Sequence, residues 1–188
     1  MEIYLVRHTK VAVSREICYG ITDVDLAESY ESDIKNVKEK LKGVSFDLAY
    51  TSPLSRCRKL ADSLVSDVHE EKGLLEMSLG DWEMHKWADL DQQVLEEWMG
   101  DFVNISPPGS ESFMEYSMKP VYFFEEVAKR EKELDKVLLV SHSGAIRSII
   151  CHVLNLSLAH AFNFEVDYGS VSMIEITDNW YKLKFLNY

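Results

Sequence analysis

Cationic side chains are in short supply in this 188-residue chain: 20 Lys plus Arg against 32 Asp plus Glu leave a formal charge of −12 at pH 7. So acidic an envelope repels polyanions, because binding a nucleic-acid backbone needs a basic face, and nucleic acid is not an expected partner. A small phosphorylated ligand is a different matter, since a local pocket of arginines can hold positive potential inside an acidic surface. Cysteine is scarce as well. Cys18, Cys57 and Cys151 are too few and too widely spaced for a disulfide framework or a CxxC metal knuckle, and they read as reduced thiols in a cytoplasmic setting. No apolar run approaches the roughly 20 residues of a membrane span. The opening MEIYLVRH carries an acid at position 2 and neither a basic leader nor a small-residue cleavage site, so no membrane partner is expected. Repeats, low-complexity tracts and linkers are also missing, and residues 1–188 read as one domain, long enough for one substantial core.

What the chain does have is an alternation of short apolar runs and segments with a period near 3.6, the pattern of an α/β domain with a mostly parallel sheet and helices on both faces. Residues 3–6 form the first expected strand. Tyr30, Ile34, Val37 and Leu41 lie on one face of a helix that Gly43 stops. FDLAYTS reads as a second strand and SPLSRCRKLADSLV as a helix capped by Ser52. Residues 74–112, with Trp82, Trp87 and Trp98, read either as a lid over a site or as a peripheral helix with aromatic anchors. Ser112 and Glu115 make a capping box before a long helix that Pro120 is expected to kink or break. KVLLV, a continuous apolar run, suits the middle of a parallel sheet. VSMIEIT, Asp178-Asn179 and WYKLKFL read as a closing hairpin.

In open α/β sheets, ligands gather beyond the carboxyl ends of the strands. Arg7 and His8 end the first strand, Arg56 starts the helix after the second, and His142 ends KVLLV just before Gly144. Two histidines and two arginines from three distant segments thus converge on one sheet edge. A phosphoryl group is the natural occupant, because guanidinium forks match its oxygens and helix N-termini favour its charge. A zinc site built from His8, His142 and a carboxylate is the competing chemistry, but the two arginines would repel a dication and no HxH or HExxH spacing is present.

RHTKV, TSPLSRCRKLA, LLEMSLGDWE and LLVSHSGAIR, in this order, resemble the four signature segments of the histidine phosphatase superfamily, the branch that includes cofactor-dependent phosphoglycerate mutase. The resemblance covers nearly the whole chain and implies a phosphoglycerate mutase-like three-layer α/β/α sandwich. It makes His8 the nucleophile that accepts the phosphoryl group, with Arg7, Arg56 and His142 around the phosphoryl oxygens and Glu76 as the proton shuttle, Asp81 and Glu83 being alternatives in the same segment. It also places Ser14 and Gly144 at the phosphate. The reaction so drawn uses neither a metal nor another cofactor, and its partner is a small phosphorylated substrate. The chain departs from the family pattern where Thr9-Lys10 replaces Gly-Glu, where Ser14 replaces an asparagine, and where Ser143 replaces a glycine.

The mutases carry an inserted segment that shields the phosphoenzyme from water, and residues 74–112 are short by comparison, so hydrolysis is favoured over mutase transfer. GVSFDLAYTSPLSRCRKLAD, GDWEMHKWADL and FNFEVDYGSVSMIEI resemble the α-ribazole phosphatase group of that superfamily, which acts in late cobalamin assembly. A phosphatase for sugar phosphates or nucleotides is the alternative expectation, followed by a non-catalytic phosphate-binding domain or a mutase. Trp82, Trp87 and Trp98 would offer an aromatic wall to a benzimidazole-like base or serve as core anchors. His85 falls in the same stretch.

Overall fold

The computed structural model describes residues 1–130, 133–178 and 180–188. Among them the strands β1 (Glu2–Arg7), β2 (Leu48–Thr51), β3 (His69–Glu70), β4 (Lys136–Ser141), β5 (Val171–Thr177) and β6 (Trp180–Phe185) form one mixed sheet in the order β3-β2-β4-β1-β5-β6. The first four run parallel, and β5 and β6 complete the sheet in antiparallel fashion. The helices α1 (Tyr30–Lys40), α2 (Ser55–Leu64), α3 (Gln92–Gly100), α4 (Phe113–Arg130) and α5 (Ser143–Val153) surround it.

Alternation along the central strands divides the core into two layers. Tyr4 and Val6 of β1 and Leu138 and Val140 of β4 pack against Ile34 and Val37 of α1 and Cys57, Leu60 and Ala61 of α2. Their neighbours Ile3, Leu5, Val137 and Leu139 pack on the other face against Phe124 and Val127 of α4 and Ile146, Ile149 and Ile150 of α5. A strand covered on both faces gains from apolar side chains at every position, which is why these segments read as continuous runs. The result is the expected α/β/α sandwich.

Register then fixes the functional edge. Arg7 of β1 lies opposite Ser141 of β4, and His8 donates its backbone N–H to the Ser141 carbonyl at 3.0 Å, so His8 and His142 leave the sheet side by side. β2 ends beside them, with the Ser52 N–H bonded to the Val140 carbonyl.

The capping box is present: Glu115 Oε2 accepts from the Ser112 N–H at 2.9 Å, and Ser112 Oγ accepts from the Glu115 N–H at 3.3 Å. Two local expectations are corrected. Ser52 does not cap α2. The residue preceding that helix is Leu54, which offers no side-chain acceptor, and Asp23 Oδ1 instead accepts from the Ser55 N–H and hydroxyl. Pro120 does not break α4, which runs unbroken through it with Pro120 buried, because tertiary packing holds a helix that local propensity would interrupt. β5 and β6 pair as the expected hairpin, Asp178 has a φ of 56°, and Asn179 lies outside the described residues. Among the described residues no helix is long and apolar enough to cross a membrane.

Candidate active site

At the carboxyl edge the His8 and His142 ring centroids stand 5.1 Å apart at 62°, near enough for one phosphoryl group lying beside them to touch both. Both rings are buried, at 1% and 0% exposure. The His8 Nδ1 lies 2.7 Å from the Thr9 carbonyl oxygen. A carbonyl only accepts, so Nδ1 carries the proton and Nε2 keeps its lone pair. Burial, then the charges of Arg7 and Arg56, push the His8 pKa well below the usual histidine value, which keeps the ring neutral. The same causes, with His8 itself added, depress His142.

His142 is held in the complementary way. Arg56 Nε donates to its Nδ1 at 3.3 Å, which leaves the proton on Nε2, 2.8 Å from Ser52 Oγ. Arg56 is fully buried, a state a guanidinium tolerates only with partners. Its Nη1 and Nη2 donate to the Thr22 and Gly20 carbonyls, each at 2.8 Å. Arg7 donates from Nη1 to the Val166 carbonyl at 2.6 Å and lies 3.8 Å from the centroid of the Tyr168 ring. Tyr168 also faces His8, with centroids 5.4 Å apart, and its hydroxyl meets that of Tyr19 at 3.0 Å.

Glu76 arrives from the loop after β3. Its Oε1 accepts from the Met77 N–H at 3.0 Å and the Tyr116 hydroxyl at 3.3 Å, and its Oε2 from the Gly144 N–H at 3.3 Å. A Cβ at position 144 would sit 2.3 Å from Glu76 Oε1, so glycine is what lets the carboxylate approach the start of α5. Arg7, Glu76, Ser143 and Gly144 line a cavity of about 440 Å³ together with the apolar Trp87, Trp98, Phe102, Phe113 and Phe162 and the charged Arg15, Glu165 and Asp167.

The structure therefore brings Arg7, His8, Arg56, His142, Glu76 and Gly144 to one edge. Ser14 is exposed, and its Oγ accepts from the Glu16 N–H in a local turn. Of the alternative acids, Asp81 is exposed and Glu83 has both carboxylate oxygens committed to backbone donors. His85 is exposed, with Nδ1 on the Glu83 carbonyl, and it does not line the cavity. Thr9 is buried without a positive φ, so its turn needs no glycine. Its Oγ1, like Arg7 Nε, has no protein partner.

Trp82 is a core anchor buried with Cys18 and Leu95, whereas Trp87 and Trp98 stack at 6.4 Å and 19° in the cavity wall. The 74–112 stretch thus forms a wall of the cavity. Sequence patterns single out neither Tyr19 nor Tyr168, and they assign Ser52 to a cap. Arg147 is missed too, although it donates from Nε to Ser143 Oγ and from Nη1 to the Ala161 carbonyl. The segments FNFEVDYGSV and SHSGAIR contain two of these residues but give no hint of their contacts.

The family model of the histidine phosphatase superfamily (branch 1) matches residues 3–188. The adenosylcobalamin/alpha-ribazole phosphatase of Escherichia coli (strain K12) is 29% identical over 195 residues, covering 100% of this chain and 96% of that protein. The crystal structure of the alpha-ribazole phosphatase from Shigella flexneri superimposes with a TM-score of 0.91 at 28% identity, covering 100% and 96% of the two chains. Phosphoserine phosphatase 1 of Hydrogenobacter thermophilus is 27% identical over 190 residues, covering 95% of this chain and 88% of that protein.

Proposed function

The chain belongs to the histidine phosphatase superfamily, and on that premise we propose that residues 1–188 act as one domain that hydrolyses α-ribazole 5′-phosphate to α-ribazole and phosphate, as in cobalamin assembly. The observation that carries the chemistry is the His8 imidazole, neutral and with its proton on Nδ1. Nε2 attacks phosphorus, the P–O bond to the alcohol breaks, and the phosphoryl group rests on His8. Arg7 and Arg56 stabilise charge on the equatorial oxygens of the in-line transition state, and the His142 ring, its one N–H on Ser52 Oγ, packs beside His8 and accepts from Arg56 Nε. The unpartnered Arg7 Nε and Thr9 Oγ1 supply two further donors beside the nucleophile.

Glu76 protonates the departing oxygen and then accepts a proton from the water that attacks the phosphohistidine, releasing phosphate and restoring His8. Its hydrogen bonds from Met77, Tyr116 and Gly144 hold the carboxylate at the cavity wall. Gly144 holds that carboxylate.

The substrate follows from the other wall. Trp87, Trp98, Phe102, Phe113 and Phe162 offer stacking faces to a planar, apolar leaving group such as a benzimidazole base. Glu165 and Asp167 are acceptors for ribose hydroxyls and repel a second phosphate or a carboxylate. The same two acceptors favour a second reading, a phosphatase for sugar phosphates or mononucleotides. Comparing kcat/KM for α-ribazole 5′-phosphate, a hexose phosphate and a mononucleotide separates them. The expected result is a preference of about 3- to 10-fold for the ribazole ester, the order of one good stacked contact. Equal rates with all three favour the second reading and leave the reaction class standing.

A further inference from the structure

Arg56 has a hydrogen-bonding pattern that raises the question of what aims it. A guanidinium carries five N–H donors. Nε is used on His142, and Nη1 and Nη2 each donate once to a carbonyl, those of Thr22 and Gly20. One N–H remains on each terminal nitrogen, available to phosphoryl oxygens. The direction of that pair is set by where the two carbonyls stand, and both belong to the turn at residues 20–22, which has no regular secondary structure of its own.

The Thr22 N–H closes that turn on the Tyr19 carbonyl at 2.8 Å, and one carboxylate ties it down from outside. Glu83 Oε2 accepts from the Thr22 N–H at 2.8 Å and the Thr22 hydroxyl at 2.5 Å, and Oε1 accepts from the Ile21 N–H at 3.1 Å. Oε1 also accepts from the Leu79 N–H at 2.9 Å and lies 3.5 Å from Ser78 Oγ, so the same group ties the turn to its own loop. Gly20, at a φ of +41°, makes this possible: a Cβ there would lie 2.3 Å from Glu83 Oε1. Burial alone would raise the Glu83 pKa, but the hydrogen bonds from Thr22, Leu79 and Ile21 outweigh it and hold it below the ordinary carboxylate range.

We propose that Glu83 is a positioning residue for phosphoryl recognition: its carboxylate orients the Gly20 and Thr22 carbonyls, and these aim the Arg56 fork at the phosphoryl oxygens. The proposal rests on Arg56 as a phosphoryl ligand, so its test separates the two claims. Orthovanadate affinity, measured by calorimetry on the full chain, is compared in wild type, Glu83→Ala, Arg56→Ala and the double variant. Glu83→Ala is expected to weaken binding about 10-fold in wild type and by less than about 2-fold once Arg56 is removed, since coupling of this size is typical of residues in one hydrogen-bonded network.

A purely structural role would lower the thermal midpoint and leave the affinity of the folded fraction unchanged, or reduce it equally in both backgrounds; either result overturns the proposal. If Glu83→Ala does not fold by circular dichroism, Thr22→Val removes only the hydroxyl bond. It is expected to weaken orthovanadate about 3-fold with Arg56 present and not at all without it; no loss in the first case, or the same loss in both, overturns the role. Unchanged affinity in Arg56→Ala alone overturns the phosphoryl reading together with it.

Discussion

The histidine edge of the sheet and the aromatic wall of the cavity beside it are built on opposite principles. On the sheet edge, His8, His142 and Arg56 are buried and locked by directional hydrogen bonds, and the sheet register and α5 fix their places. On the far wall, Trp87, Trp98, Phe102 and Phe162 meet through ring contacts, on 3₁₀ turns, a short helix and loops, and Phe162 is 58% exposed. Phosphoryl transfer needs atoms placed to within fractions of an ångström, whereas a stacked leaving group needs only an apolar face of the right size. On the proposed reading the hydrogen-bonded edge carries the reaction and the aromatic wall the choice of substrate.

Breaking the hydrogen-bonded edge has the largest expected effect. His8→Ala, without the attacking nitrogen, is expected to lose at least about 10³-fold in kcat toward p-nitrophenyl phosphate in EDTA. His152→Ala, whose imidazole bonds Glu125 away from the cavity, stays near wild type. Equal activities in the two variants contradict a phosphohistidine on His8. Glu76→Gln keeps the shape but cannot shuttle protons and is expected to cost about 10²- to 10⁴-fold. An aryl ester whose leaving group needs no protonation recovers part of that loss in the first step, and burst kinetics detect the recovery.

A change in the aromatic wall is milder. Phe162→Ala is expected to raise KM for α-ribazole 5′-phosphate about 3- to 10-fold, the equivalent of one aromatic contact, and to leave glycerol phosphate within about 2-fold. A similar loss for both esters shows that the aromatic wall does not read the leaving group.

The smallest effect concerns pH. The folded-state pKa values of His8 and His142 lie below their unfolded value of about 6.5, so on acidification the unfolded chain binds protons first. Stability is complete above about pH 6.5 and is lost as pH falls toward the folded-state values. Each histidine contributes a slope of up to about 1.4 kcal/mol per pH unit in that window. Urea unfolding of His142→Asn between pH 6.5 and 5 is expected to give a shallower slope than wild type, and an identical slope shows that His142 is not held neutral by burial.

How much was legible in the sequence differs between the two regions in the same way. Continuous apolar runs announced β1 and β4, and the residues at their ends, Arg7, His8 and His142, needed only parallel pairing to meet. Arg56 was legible from its place at the start of a helix after a strand. Ser52 was misread because its local pattern is that of a helix cap, while its hydroxyl is engaged with His142 Nε2 across 90 residues of chain. Pro120 leaves α4 continuous for a related reason: local propensity is weak beside the packing of a whole helix face.

Sequence alone determined the fold class, the identity of the buried cations and imidazoles, and the strand ends that present them, because burial periodicity and strand termini are local properties. Tertiary structure decided which histidine nitrogen is free, that Glu83 clamps the turn facing Arg56 while Glu76 faces the cavity, and which tryptophans form its wall. Those outcomes depend on hydrogen bonds and ring contacts between segments far apart in the chain, and no local pattern encodes a partner that the fold has yet to bring near.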